Sequence, residues 1–374
     1  MNEIAVRYRN KIIHGSYSHL LKPIFFRFDP EAVHDGMTSV GKNLGALGLS
    51  RVLTGVLFNY ENPVLKQEIL GITFKNPIGL AAGFDKNAQL VDILPDVGFG
   101  FAEIGSITGE KCAGNAGTRL WRLPKSKSLA VYYGLKNDGC EAISKRLAGK
   151  KFRIPIGTSV AMTNCADNND TDKAVKDYAK AFKTMEPIAD YITVNISCPN
   201  TSGGQPFIAP AELDKLFTLL DTLPTKKPIF IKLSPDISHE QIDAILAVLS
   251  KHRVQGIICS NLTKKKDNPK LSDDGGVEWK GGISGKGVED VSNDLLAYVY
   301  KKAGNQFVLI GCGGVFTAED AYKKIRLGAS LIQLIAGMIY EGPQVISEIN
   351  QGLAMLLARD GFKNISEAIG IDNK

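Results

Sequence analysis

Phe307-Val-Leu-Ile-Gly-Cys-Gly-Gly-Val-Phe-Thr-Ala-Glu-Asp-Ala-Tyr-Lys-Lys-Ile-Arg-Leu-Gly-Ala-Ser-Leu-Ile-Gln-Leu-Ile335 holds one complete strand–turn–helix–turn–strand unit. Phe307–Ile310 is apolar throughout, as a strand buried on both faces must be. Gly311-Cys312-Gly313-Gly314-Val315 breaks the run. Thr317 then stands where a helix cap belongs, with Asp320 in the first turn of a helix predicted over Thr317–Leu327. Gly328-Ala329 ends that helix, and Leu331–Ile335 is the next apolar run.

Working outward, the same alternation reaches back to about residue 77. Six more apolar runs precede these two: Pro77–Ala81, Phe101–Ile104, Ile154–Val160, Tyr191–Ile196, Ile229–Leu233 and Gly256–Ser260. Between them lie predicted helices, among them Thr171–Met185 and His239–Lys251 with Ser238 as its cap. Eight strand-and-helix repeats over about 300 residues predict a (β/α)8 barrel. A doubly wound open sheet would place G-x-G-x-x-G after its first strand, and Ala81-Ala82-Gly83-Phe84-Asp85-Lys86 is not that. The expected organisation is an N-terminal amphipathic helical segment, residues 1–60, followed by a barrel over 61–374.

With 374 residues, 44% of them hydrophobic, the chain is too long for a small disulfide scaffold and too apolar for wholesale disorder. Forty-five basic residues against 39 acidic ones give a net charge of +6, too slight to argue for nucleic-acid binding. The six cysteines form no C-x-x-C pair and the five histidines lack metal-ligand spacing, so reduced thiols and no structural metal are expected. No stretch reaches the roughly 18 uncharged apolar residues of a spanning helix, and the opening MNEIAVRYRNKIIHG lacks a signal peptide's apolar centre. The expectation is a protein kept inside the cell.

Before the barrel, Leu20, Leu21, Ile24, Phe25 and Phe28 recur at helical spacing beside Lys22 and Arg27. Asp29-Pro30 then opens a second helix with a stripe of Val33, Met37, Val40, Leu44 and Leu47. Two functions suit them: closing the bottom of the barrel, or contacting a membrane surface or hydrophobic ligand.

Chemistry concentrates at the predicted strand ends, where barrels carry their sites. Asn195-Ile196-Ser197-Cys198-Pro199-Asn200-Thr201 frames a thiol with two amides and a hydroxyl, making Cys198 a candidate acid/base or nucleophile. Lys86 and Lys232 fall where a charge is expensive to bury unless it meets an anion or polar ligand, although Lys232 has Asp236 as a possible partner. Gly313-Gly314, with Gly282 and Ser284-Gly285 in the preceding long connection, suit a phosphate cradle of bare amides. The connections Ile107–Asn137 and Leu262–Lys286, the latter with Lys264-Lys265-Lys266, are predicted lids or walls of the site.

Five blocks together carry a resemblance. They are Asn76–Lys86, Gly98–Ser106, Arg119–Pro124, Asn195–Thr201, and Ile310–Val315 with Gly328–Gln333. The chain resembles dihydroorotate dehydrogenase, an FMN enzyme of pyrimidine synthesis, from about Leu20 to Gly370. The resemblance implies FMN contacts from Ala81, Ala82, Gly83, Ser106, Asn195, Lys232, Ser260, Gly285, Gly313 and Gly314. It implies a pyrimidine held by Lys86 and by the amides of Asn195, Asn200 and Asn261. A base at Cys198 would take the C5 proton while hydride leaves C6. The N-terminal helices and Phe28-Asp-Pro-Glu-Ala-Val-His34 resemble the membrane-associated class, implying a quinone oxidant, Arg122 near the inner end of its path, and a peripheral place on a bacterial cytoplasmic membrane.

The chain departs from that class at named positions. Cys198 stands where serine is usual, as in the soluble classes using fumarate or NAD. Val131 replaces a ring-contacting asparagine, for which Asn137 is a nearby substitute. Ser159 replaces a flavin-contacting asparagine, Ile335-Ala336 replace an aromatic and hydroxyl pair, and Thr201-Ser202-Gly203-Gly204-Gln205-Pro206 differs from the usual loop. These leave three alternatives: a fumarate-linked enzyme or a paralogue acting on another dihydropyrimidine; a flavin-free aldolase-like barrel using Lys232 as a Schiff-base lysine; and a protein that holds FMN without turnover.

Overall fold

The computed structural model describes residues 3–201, 204–265, 271–272, 277–304 and 306–373. Ser202, Gly203 and Lys266 of the loops named above lie outside them. Eight parallel strands close into a barrel: Ile78–Leu80, Phe101–Ile107, Ile156–Val160, Tyr191–Asn195, Ile229–Leu233, Gly256–Cys259, Val308–Cys312 and Leu331–Leu334. Closure sets Ile332 beside Ile78. Each predicted apolar run supplies one strand, because a strand enclosed by its neighbours and by an outer ring of helices has no wet face to make polar. The caps also form: Thr317 Oγ1 accepts from the Asp320 amide at 3.1 Å, and Ser238 Oγ from the Gln241 amide at 3.3 Å.

The bottom of the barrel is not closed by the N-terminal helices. A hairpin, Gln67–Ile69 and Ile72–Phe74, plugs it, turning through Leu70 and Gly71 at φ +53° and +76°. Phe74 packs there with Phe101, Tyr191, Phe230, Ile258, Ile310 and Leu331. Three-residue strands are too short to show a period, which is why the sequence hides them.

The N-terminal helices lie instead toward the barrel mouth. A helix Glu3–Ser16, absent from the sequence reading, continues through a π turn at Tyr17–Leu21 into Lys22–Phe25. Arg9 Nη2 and Asn10 Nδ2 fasten it to Ser347 Oγ at 2.6 and 3.1 Å. Helix Pro30–Ala46 starts on Asp29, whose carboxylate accepts from the Ala32 amide at 2.8 Å, and Gly48–Phe58 follows it. Glu31 on this helix receives both Arg119 and Lys136 from the barrel side. Leu20, Ile24, Leu49, Val52, Leu53 and Val56 of these helices are each more than half exposed, an apolar area far denser than scattered surface residues make. Among the described residues no helix is long and apolar enough to cross a membrane.

Both long connections contribute strands. Leu120–Leu123, Ser128–Val131 and Gly282–Gly285 form a three-stranded antiparallel sheet, with Ile283 opposite Ala130 and Trp121 opposite Ala130 on its other side. It makes a wall beside the barrel mouth.

Candidate functional site

Between the barrel mouth, this sheet and the N-terminal segment lies a cleft with about 1310 Å³ of space, part of it open to solvent. The candidate residues Ala81, Ala82, Gly83, Lys86, Ser106, Asn195, Cys198, Asn200, Lys232, Ser260, Asn261, Gly285, Gly313 and Gly314 all line it. Arg122 does not. It stands between sheet and N-terminal segment, its Nη1 donating to Phe28 O at 2.8 Å and its guanidinium 4.7 Å from the Phe26 ring centroid.

The strand ends are tied by a chain of side-chain hydrogen bonds. Ser159 Oγ and Ser106 Oγ are 2.8 Å apart, and Asn195 Nδ2 donates to Ser106 Oγ at 2.8 Å. Asn195 Oδ1 accepts from Ser197 Oγ at 3.0 Å, while Asn261 Nδ2 donates to that same hydroxyl at 3.0 Å. Every member is held by another before any ligand arrives, the preorganisation that a precise polar site needs. Ser159, a departure from the expected asparagine, is thus a structural link of the chain.

Asn200 Nδ2 donates to Val131 O at 2.8 Å, whereas its Oδ1 is buried without a partner. Asn137 does not replace the amide lost at Val131. Its Nδ2 is engaged by Thr108 Oγ1 at 2.7 Å and its Oδ1 by the Gly139 amide at 2.8 Å, and it does not line the cleft.

Two cations face the cleft. Lys232 is 4% exposed, beside Asn195 in the strand register, and its ammonium has neither hydrogen bond nor ion pair among the described residues. Asp236 is not its partner: that carboxylate takes the Thr263 hydroxyl and the Lys264 amide. Lys86 lies with its ammonium 4.0 Å from the Tyr133 ring centroid, and burial pushes it down to about 8 against the opposing pull of Asp35. Two buried ammonium groups with no ion pair among the described residues describe a place for anions or polar ring atoms.

Cys198 is partly buried in the cleft wall. Burial pushes its thiol up to about 11, while a hydrogen bond from the Asn200 backbone and the charge of Lys264 pull weakly downward. The residue type alone places a thiol near 8.5; the folded environment makes it a weaker acid and, once ionised, a stronger base. At the opposite side of the cleft, Gly313 and Gly314 adopt φ +114° and +76°, and a Cβ on Gly314 would collide with Glu289 Cβ. The Gly313 N–H faces Gln333 O in the strand register, and the Gly314 N–H, with no acceptor among the described residues, is the bare amide this turn has at the cleft.

Sequence reasoning missed the remaining wall: Leu120, Leu129, Phe316 and Ile339 with Tyr133, whose buried hydroxyl has no partner among the described residues. No periodic signal marks these residues, because sheet pairing brings Leu120 and Leu129 to the cleft while Phe316, Ile339 and Tyr133 reach it from a turn, a short helix and a loop.

The family model for dihydroorotate dehydrogenase matches residues 64–357. The chain belongs to the dihydroorotate dehydrogenase family. Curated relatives named dihydroorotate dehydrogenase (quinone) include one from Natronomonas pharaonis, 37% identical over 355 residues, covering 94% of this chain and 98% of the relative. Another, from Trichodesmium erythraeum, is 35% identical over 380 residues, covering 96% and 99%. Among solved structures, the ligand-free dihydroorotate dehydrogenase of Eimeria tenella superposes with a TM-score of 0.82 at 30% identity, covering 92% of this chain and all of that one. The same enzyme in complex with ferulenol gives 0.81 at 28% identity, covering 92% and 96%. Membership of the dihydroorotate dehydrogenase family accords with the closed barrel and the N-terminal helices.

Proposed function

We propose that this protein oxidises (S)-dihydroorotate to orotate in pyrimidine synthesis, using FMN and delivering the electrons to a quinone. The observation that carries this reading is the meeting, in one cleft, of a partly buried thiol, two lysines without an ion pair among the described residues, three asparagine amides and a glycine turn with a bare N–H group. The donor set fits FMN: the Gly313-Gly314 turn and Gly285 would hold its phosphate, and Ala81, Ala82, Gly83, Ser106, Asn195, Lys232 and Ser260 its ring system. When bound, FMN supplies hydride acceptance from C6 and onward electron transfer.

The chain's own residues do the rest. Lys86 holds the substrate carboxylate, while Asn195, Asn200 and Asn261 orient the ring, with Asn200 Oδ1 gaining the donor it lacks. Cys198 removes the C5 proton as its thiolate. Lys232, buried and unpaired, stabilises negative charge that develops on the electron-accepting ring. The apolar face of the segment 1–60 rests on a membrane surface and admits the quinone, so the protein is peripheral on the bacterial cytoplasmic membrane, with Arg122 at the joint between that segment and the barrel domain, 61–374.

The test is an anaerobic absorbance spectrum of the purified protein before and after dihydroorotate, followed by a short-chain quinone or by fumarate. Bleaching of the flavin band that quinone reverses and fumarate does not is expected. Re-oxidation by fumarate alone would overturn the oxidant, a yellow protein that dihydroorotate cannot bleach would overturn the substrate, and a colourless one the cofactor. The fumarate-linked, paralogue and aldolase-like readings have less support, since the curated relatives carry the quinone enzyme's name along nearly the whole chain.

A further inference from the structure

Helix Ala318–Arg326 carries a lysine inside the protein. Lys324 is 1% exposed, and its stem passes beneath Gly311, where a Cβ would stand 3.1 Å from Lys324 Cδ. The acids of the neighbourhood are already engaged: Lys286 takes Glu289 at 2.6 Å and Asp320 at 2.8 Å. Lys324 has no ion pair among the described residues. Its ammonium donates instead to Ser292 Oγ at 2.8 Å and Asn293 Oδ1 at 2.7 Å.

An ammonium has only protons to give, so Ser292 Oγ must accept from it and turn its own proton elsewhere. That proton goes to Cys312 O at 2.6 Å, which also accepts from the Ser260 amide at 2.9 Å. Cys312 O is therefore drawn toward the barrel and helix Glu289–Ala303. In a planar trans peptide the carbonyl and the following N–H point in opposite directions. Holding Cys312 O on that side sets the Gly313 N–H toward Gln333 O, in the strand register, and fixes the peptide from which the next amide, that of Gly314, reaches the cleft.

We infer that Lys324 is a positioning residue for the cofactor's phosphate: through Ser292 it locks the Cys312–Gly313 peptide, the base of the glycine turn, so that the Gly314 amide is offered to a dianion, with a buried positive charge behind it. The inference rests on the proposed use of FMN. Burial pushes the Lys324 ammonium down to about 8, the behaviour of a cation kept from water without a carboxylate.

Riboflavin and FMN differ by the phosphate, so together they separate this role from a general packing role. The full-length chain, stripped of flavin by dialysis against a chaotropic salt, is titrated with each by fluorescence quenching, as wild type, Lys324→Met and Ser292→Ala. Loss of one charge-assisted hydrogen bond corresponds to a weakening of about tenfold or more. Both variants are expected to weaken FMN by at least that factor while riboflavin affinity stays within about twofold, and the ³¹P resonance of bound FMN is expected to shift in both. If Lys324→Met does not fold, Ser292→Ala carries the test. Equal weakening of both flavins, or unchanged FMN affinity, overturns the inference while the wild type still binds FMN. A wild type that binds no FMN overturns the proposed cofactor, and this inference with it.

Discussion

Dihydroorotate oxidation by this protein should accelerate with pH far beyond neutrality. The thiol of Cys198 is pushed up to about 11 by burial, so the thiolate that takes the C5 proton is a minor species. At pH 7 the four-unit gap leaves about one molecule in ten thousand ionised, and each further pH unit raises that population about tenfold. The shift stabilises the neutral thiol, so the active form is gained as pH rises and is complete only above about 11. Single-turnover bleaching of the flavin by saturating dihydroorotate, followed anaerobically in a stopped-flow instrument, should give a log rate of slope near one from pH 7 to 10. Lys264→Met removes the cation that pulls the thiol downward and should lower the rate at every pH in that window. Cys198→Ala should keep its flavin and lose about 10²–10⁴ in rate, the usual contribution of a general base. A plateau below pH 9 would refute the assignment of the high value to burial. Retained activity in Cys198→Ala would remove Cys198 as the base.

Lys86, lowered to about 8, is charged below that pH and neutral above it, so KM for dihydroorotate should rise above pH 8 in steady-state assays while the saturated rate still climbs. Gly314→Ala places a Cβ at φ +76° against Glu289; FMN affinity should collapse in a flavin titration, with about 1–3 kcal/mol of stability lost in denaturant unfolding. Glu31→Gln leaves Arg119 with backbone carbonyls alone and Lys136 with Asp35 at 3.7 Å, and should cost about 1–3 kcal/mol in the same assay. Burial works to raise the Glu31 carboxyl, but Arg119 and Lys136 outweigh it and hold it below its ordinary value. Its stabilisation is therefore complete above the ordinary carboxylate range and fades as pH falls through the depressed folded value. Leu53→Glu with Val56→Glu puts charge on the exposed apolar face and should abolish co-sedimentation with anionic vesicles; unchanged sedimentation would count against membrane contact.

The barrel was legible because its strands are buried on both sides, and continuous runs such as Ile229–Leu233 have no amphipathic alternative. Site residues at strand ends, Asn195, Lys232 and Gly313-Gly314, followed from that count. The three-stranded sheet was not legible: Leu120-Trp-Arg-Leu123 mixes apolar and charged residues over four positions, and its meaning lies in distant partners. The roles of individual polar groups were equally hidden. Asn137 was a plausible ring contact by proximity in sequence, yet its amide closes a loop on Thr108. Cys198 was recognisable as a thiol among amides, but only the fold supplies the burial that sets its basicity.

The sheet beside the barrel mouth also bears on the order in which the chain assembles. Ile283 pairs with Ala130 across more than 150 intervening residues, whereas each barrel strand pairs with a neighbour from the next repeat or two, except at closure. Contacts between remote segments form late, since the loop they close must be ordered first. Gly285, part of the proposed phosphate cradle, belongs to that late piece. Barrel closure, Ile78 beside Ile332, is a remote contact too, so the flavin platform is complete only once both are made, and the flavin would act as a ligand for the last steps of folding. In hydrogen exchange, removing the flavin should deprotect amides of Ser128–Val131 and Gly282–Gly285 while leaving those of Ile229–Leu233 slow.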